Sequence, residues 1–200
     1  MEALRGERVA ATRVVGIGAS AGGIAALQEV LHGLPADFPA SVVVVLHLMP
    51  DHTSYLAEIL ARKSPLPVVQ AEHGQSLEHG HVYVAPPDNH LTVGSDGRLA
   101  LDQSPPVRFL RPSIDLFLSS LADSYDGRAV AVILSGAGGD GAAGVTRIKA
   151  AGGTVLAQEA RSAEHDGMPE AAAATGAVDS ILPLEQIAGG IVAAVAAVNR

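Results

Sequence analysis

Residues 41–46 read SVVVVL, a run of apolar, mostly β-branched side chains with no polar residue at alternate positions. A strand with one wet face alternates. One that does not alternate has both faces covered, which points to a parallel sheet between helices. Residues 13–18 (RVVGIG) have the same character, and 21–32 follow with Ile24, Leu27, Val30 and Leu31 at helical spacing.

The alternation continues through a helix over 55–62 and short strands over 67–71 and 81–85. Residues 91–93 and 99–101 then pair as a hairpin across Gly94, Ser95, Asp96 and Gly97. After a connector at 108–112, the 113–125 segment sets Ile114, Phe117, Leu118 and Leu121 on one helical face. Strands over 129–134, 154–158 and 178–182 are interleaved with helices over 140–150, 169–175 and from 184 onward. The pattern predicts an α/β fold: a three-layer α/β/α, doubly wound, mostly parallel sheet with a small β-hairpin insertion. With 200 residues the chain suits one domain, over 13–200, preceded by a tail at 1–12.

Charge and composition exclude several classes. Against 21 acidic residues there are 13 basic ones, a formal charge of −8, so no clustered basic surface for nucleic acid is expected. The chain has no Cys, which removes disulfides, thiolate metal sites and cysteine nucleophiles. The first dozen residues lack the apolar core of a signal peptide, and no stretch approaches the ~20 apolar residues of a membrane span. A cytoplasmic chain with no membrane insertion is the expectation.

In a doubly wound sheet, sites form at the carboxyl ends of the strands, where three polar residues stand in strand-end loops. Ser20 follows the first strand within Gly18-Ala19-Ser20-Ala21-Gly22-Gly23, whose small residues leave room for a substrate and whose N–H groups could stabilise an oxyanion. His47 closes the second long strand. An imidazole, with an ordinary pKa of ~6.5, suits the task of taking a proton from a serine hydroxyl near neutrality. Asp140 follows Ser135-Gly136-Ala137-Gly138-Gly139 and could hold the imidazole's other nitrogen. Each has a plainer reading: Ser20 and Asp140 as helix N-caps, His47 as a strand-end histidine with satisfied hydrogen bonds.

Two other sites are compatible with the same residues. Gly16-Ile17-Gly18-Ala19-Ser20-Ala21 satisfies a dinucleotide-binding G-x-G-x-x-[G/A], although His47 stands where the ribose-binding acid is wanted. A metal site could draw on His79, His81 and His90, or on His47 with His52 and Asp51, but neither set has spacing typical of zinc, and none is expected. A non-catalytic interaction module on this fold is the third alternative.

Six blocks carry a resemblance that spans about 14–187: VVGIGASAGG (14–23), HLMPDHT (47–53), GHVYVAPPDNHLTV (80–93), PSIDLFLSSLA (112–122), VILSGAGGDGAAG (132–144) and GMPEAAAATGAVDSILPL (167–184). In this order they resemble the catalytic domain of the chemotaxis protein-glutamate methylesterases (CheB type). The resemblance implies a carboxylic ester hydrolase with Ser20 as nucleophile, His47 as base and Asp140 as its orienting carboxylate. It implies release of methanol from γ-methyl glutamyl esters on methylated chemoreceptor helices or another methyl-esterified protein, and deamidation of glutamine as a further activity, with no cofactor.

Backbone N–H groups of Ala21 and Ala137 are the expected oxyanion hole, and His90 and Met168 are expected on the substrate side. Ala21 and Ala137 stand where the family commonly has Thr and Met, which makes the mouth smaller and less polar. The family's phosphorylatable receiver precedes this domain, and a dozen residues are too few for one: either the sequence is a domain taken from a longer protein, or the protein stands alone and regulatory proteins act on it in trans.

Overall fold

The computed structural model describes residues 12–48 and 54–197. Seven parallel strands form the central sheet: β1 (Val14–Ala19), β2 (Ser41–Leu46), β3 (Val68–Gln70), β4 (Val82–Val84), β7 (Ala129–Ile133), β8 (Thr154–Gln158) and β9 (Ser180–Leu182). Their order is β3-β4-β2-β1-β7-β8-β9. A separate antiparallel pair, β5 (His90–Val93) and β6 (Leu99–Asp102), is the expected hairpin, in the register Val93 to Leu99.

Helices cover both faces. On one side α1 (Gly23–His32), α2 (Leu56–Ala61) and α6 (Leu184–Ala197) bury Leu27, Leu31, Leu60 and Ile191 against Val42, Val44 and Val132. On the other, α3 (Ile114–Tyr125), α4 (Ala142–Ala150), α5 (Gly167–Ala174) and the hairpin bury Phe117, Leu118, Ile148 and Leu91 against Val43, Val45 and Ile133. The uninterrupted apolar run of β2 is explained directly: alternate valines serve opposite cores, and all six residues are buried. The predicted architecture is the observed one.

Neighbouring strands β1 and β7 send their helices to opposite faces, α1 into one layer and α4 into the other. Their carboxyl ends therefore part around a crevice, the switch point at which doubly wound sheets build sites. The loop after β1 carries Ser20, the loop after β7 carries Asp140, and β2 beside β1 ends at His47.

Gly16 and Gly18 prove to be packing residues. Both lie inside β1 rather than in the turn, and α3 presses on them: a Cβ at Gly18 would sit 2.6 Å from Ile114 Cγ2, and one at Gly16 would sit 2.8 Å from Phe117 Cε1. A dinucleotide fingerprint needs its first glycines at the phosphate turn, so this use of the pair removes the main support for the nucleotide reading. Over-packing a filled core costs about 1–3 kcal/mol, and about 2–4 °C of melting temperature accompanies each kcal/mol in a domain of this size. Gly18→Ala is expected to lower the melting temperature by roughly 2–12 °C on that basis. A melting curve superimposable on wild type would contradict this account of the α3–β1 contact.

Candidate active site

The register of β1 and β2 brings the first two residues together. Ala19 pairs with Leu46, so Ser20 and His47 are the next positions on adjacent strands, and the His47 N–H donates to Ala19 O at 3.3 Å. On the other flank the Ser20 N–H donates to Ser135 O at 3.0 Å, which ties the Ser20 loop to the end of β7. The Ser20 hydroxyl itself makes no hydrogen bond among the described residues, and Ser20 is only half-buried.

Asp140 reaches His47 across the crevice, with His47 Nε2 2.9 Å from Asp140 Oδ2. That carboxylate is almost wholly buried, its side chain 5% exposed. It accepts the Ile114 N–H at 2.7 Å on the same oxygen, and on Oδ1 the Asp115 N–H at 3.0 Å and the Ser113 hydroxyl at 3.2 Å. Burial alone would raise its pKa. The hydrogen bonds from His47, Asp115 and Ile114 outweigh burial and hold the carboxyl below its ordinary range. An ionised carboxylate only accepts, so Nε2 is the His47 nitrogen that donates to it, and in a neutral imidazole the lone pair then lies on Nδ1.

Neither Ser20 nor Asp140 caps the helix that follows it, contrary to the plainer reading. The N-cap positions of α1 and α4 are Gly22 and Gly141, both left-handed at φ 72° and 101°. Asp140 instead binds the N-terminus of α3, and Asp115 from the first turn of α3 binds the N-terminus of α4, taking the Gly141 and Gly144 N–H groups at 2.9 Å each. Burial raises the Asp115 pKa, with the Asp140 charge adding to that effect and the two backbone donors opposing it.

The N–H groups of Ala21, next to Ser20, and of Ala137, in the loop after β7, have no acceptor among the described residues, and both residues are exposed. Next to Ala137, Gly136 has no room for a side chain: a Cβ there would meet Ser20 Cβ at 2.9 Å and Met168 Sδ at 2.2 Å. The structure places both expected substrate-side residues in the interior. Met168 is 1% exposed and lies beneath Gly136, its N–H donating to Gly136 O at 2.8 Å. His90 is fully buried, with Nε2 donating to Pro105 O and Nδ1 accepting the Ser113 N–H, both at 3.3 Å. It supports the start of α3 from behind.

Other contributors carried no motif of their own. Ser135 takes the Gln158 side chain on its N–H, donates its hydroxyl to Ala21 O and accepts the His165 N–H on that hydroxyl. Buried Ser113, Asp115 and Gln158 are polar residues in otherwise apolar elements, and that mismatch was the signal available. His79 bonds the Thr12 N–H and His81 bonds His79 O, while Asp51 and His52 lie outside the described residues. Among the described residues no three metal-ligating side chains converge, and no helix is long and apolar enough to cross a membrane.

The family described as CheB methylesterase matches residues 15–191. The chain belongs to the CheB methylesterase family. A relative from Anaeromyxobacter dehalogenans, named protein-glutamate methylesterase/protein-glutamine glutaminase 2, is 46% identical over 180 residues, which is 90% of this chain and 52% of that protein. Protein-glutamate methylesterase FrzG of Myxococcus xanthus is 40% identical over 178 residues, 89% of this chain and 53% of its own. The chain thus spans about half the length of these relatives. The crystal structure of the Thermotoga maritima CheB methylesterase catalytic domain superposes with a TM-score of 0.87 at 37% identity, covering 90% of this chain and 97% of that one.

The Asp140 shift fixes the sign of an acid effect. A carboxyl with a depressed folded-state pKa adds stability that is complete above its unfolded value and is lost as pH falls through the folded one. Asp140→Asn should therefore cost about 1–3 kcal/mol near neutrality, through unsatisfied donors at α3. The cost should shrink as pH falls below the ordinary carboxylate range. Denaturant midpoints for both proteins across that range would measure it, and a pH-independent difference would contradict the assignment.

Proposed function

We propose that this chain hydrolyses γ-methyl glutamyl esters on helices of chemoreceptor-like proteins, through Ser20, His47 and Asp140. The observation that carries the reading is the His47–Asp140 contact at 2.9 Å, on a histidine whose strand register sets it beside Ser20. With Nε2 committed to the carboxylate, Nδ1 is the nitrogen that takes the serine proton.

Ser20 Oγ attacks the ester carbonyl carbon as its proton passes to His47 Nδ1. The tetrahedral oxyanion is held by the N–H groups of Ala21 and Ala137, which need no reorganisation to receive it. The imidazolium, stabilised by Asp140, protonates the departing methoxide, and methanol leaves an acyl-enzyme on Ser20. His47 then takes a proton from water, which attacks the acyl carbon. Collapse of the second tetrahedral species returns the proton to Ser20 and frees the glutamate side chain. A glutamine amide would follow the same course with ammonia as the leaving group, as the names of the relatives indicate for those proteins.

Every proton and electron pair in this sequence is accommodated by side chains, backbone N–H groups and water, so no cofactor is required. The reaction would take place in the cytoplasm, on the cytoplasmic helices of receptors. Ala21 and Ala137 are used here only through their backbone N–H groups, which the exchange of side chains relative to the family's Thr and Met leaves in place. Ser20→Ala is expected to lower methanol release from a methyl-esterified receptor fragment by about 10⁴- to 10⁶-fold, as loss of a triad member does. Undiminished release by the variant would overturn the mechanism.

A further inference from the structure

Beside the crevice, a cleft of about 370 Å³ is lined by His47, Leu48, Asp88, Phe109 and Arg111. Its outer lip is a tight turn. Val107 and Leu110 exchange both backbone hydrogen bonds, at 3.0 and 2.9 Å, and the two residues between them, Arg108 and Phe109, have φ of 49° and 68°. Positive φ at both central positions is the signature of a type I′ turn, which favours Asn-Gly and disfavours large side chains.

This strain is held in place rather than relaxed. Arg111, at the base of the turn, donates from Nε and Nη2 to Asp88 Oδ1 at 3.0 and 2.5 Å, and from Nη1 to Gln103 O and Ser104 O at 2.9 and 3.0 Å. Residues kept in disfavoured backbone conformations by such bracing cluster at binding sites. What the turn displays is equally unusual: Phe109 is 100% exposed, while Arg108 is 73% exposed and reaches only one described carboxylate, Asp115 Oδ2 at 4.0 Å.

Among the described residues, nothing accounts for an aromatic ring and a guanidinium held on a strained tip beside the cleft. We infer that Arg108 and Phe109 form a clamp for an acidic amphipathic helix of the substrate protein. Phe109 packs on the helix's apolar stripe, and Arg108 binds a carboxylate about one turn from the glutamyl ester. An aromatic ring contributes large contact area at little entropic cost, and a guanidinium matches a carboxylate bidentately. On a helix, side chains three or four residues apart share a face, so one segment can present an ester to the crevice and a carboxylate to the lip. The partner's acidity follows from charge complementarity to Arg108, an exposed cation next in the chain to the cleft-lining Phe109.

The inference rests on the methylesterase reading, and one comparison separates the two. Arg108→Asn with Phe109→Gly supplies the residues that a type I′ turn prefers, so the turn persists without its side chains and the melting temperature does not fall. The readout is kcat/KM on a methyl-esterified receptor helix fragment divided by kcat/KM on a small activated acetate ester. That ratio is expected to drop at least tenfold in the double variant. Arg108→Glu alone should lower it further at low salt, with the loss shrinking as salt screens the added repulsion. A ratio within twofold of wild type in both variants overturns the clamp alone. Failure of the wild-type protein to release methanol from the esterified helix overturns the methylesterase reading and the clamp with it.

Discussion

Two helix N-termini meet behind the site and exchange carboxylates. Asp140, which leads into α4, gives its charge to the backbone donors at the start of α3, and Asp115, inside α3, gives its charge to the donors at the start of α4. Each helix start has unpaired N–H groups and the positive end of a dipole, and each buried carboxylate needs such donors to stay ionised. The arrangement satisfies both needs and locks α3 to α4. It also fixes the one oxygen, Asp140 Oδ2, that reaches His47.

Much of the remaining geometry serves that lock. Gly144 permits the helices to approach, since a Cβ there would lie 2.7 Å from Leu118 Cβ, while Gly16 and Gly18 let α3 settle onto β1. His90 holds the Ser113 N–H from within the core, and Ser113 passes its hydroxyl to Asp140. A fully buried histidine thus acts on the site through one intervening serine. The three loops after β1, β2 and β7 converge because the sheet reverses its winding between β1 and β7.

The sheet and its helices were readable because burial on both faces leaves an unmistakable pattern, as in SVVVVL, and because glycine-rich turns punctuate each strand. Ser20, His47 and Asp140 were readable as strand-end polar residues. Less accessible was what each glycine and each buried polar group touches. The G-x-G of β1 has the spacing of a phosphate turn, yet it yields to helix packing, which no local pattern encodes. His90 and Met168 were expected on the substrate side by resemblance, and a resemblance in sequence does not reveal how deeply a side chain is buried. The 108–112 segment read as a mere connector, since positive φ at Arg108 and Phe109 contradicts the local preferences of both residues. Such a departure from local consistency is what a strained functional site looks like from the sequence side.

The central claim is that the α3 N-terminus keeps Asp140 ionised so that it holds the proton of His47 on Nε2, leaving Nδ1 for Ser20. Long-range ¹H–¹⁵N correlation of the His47 imidazole reads this directly. The account predicts a protonated Nε2 and an unprotonated Nδ1 near neutral pH, with the preference lost in Asp140→Ala. A proton found on Nδ1, or a tautomer indifferent to the removal of Asp140, would contradict it.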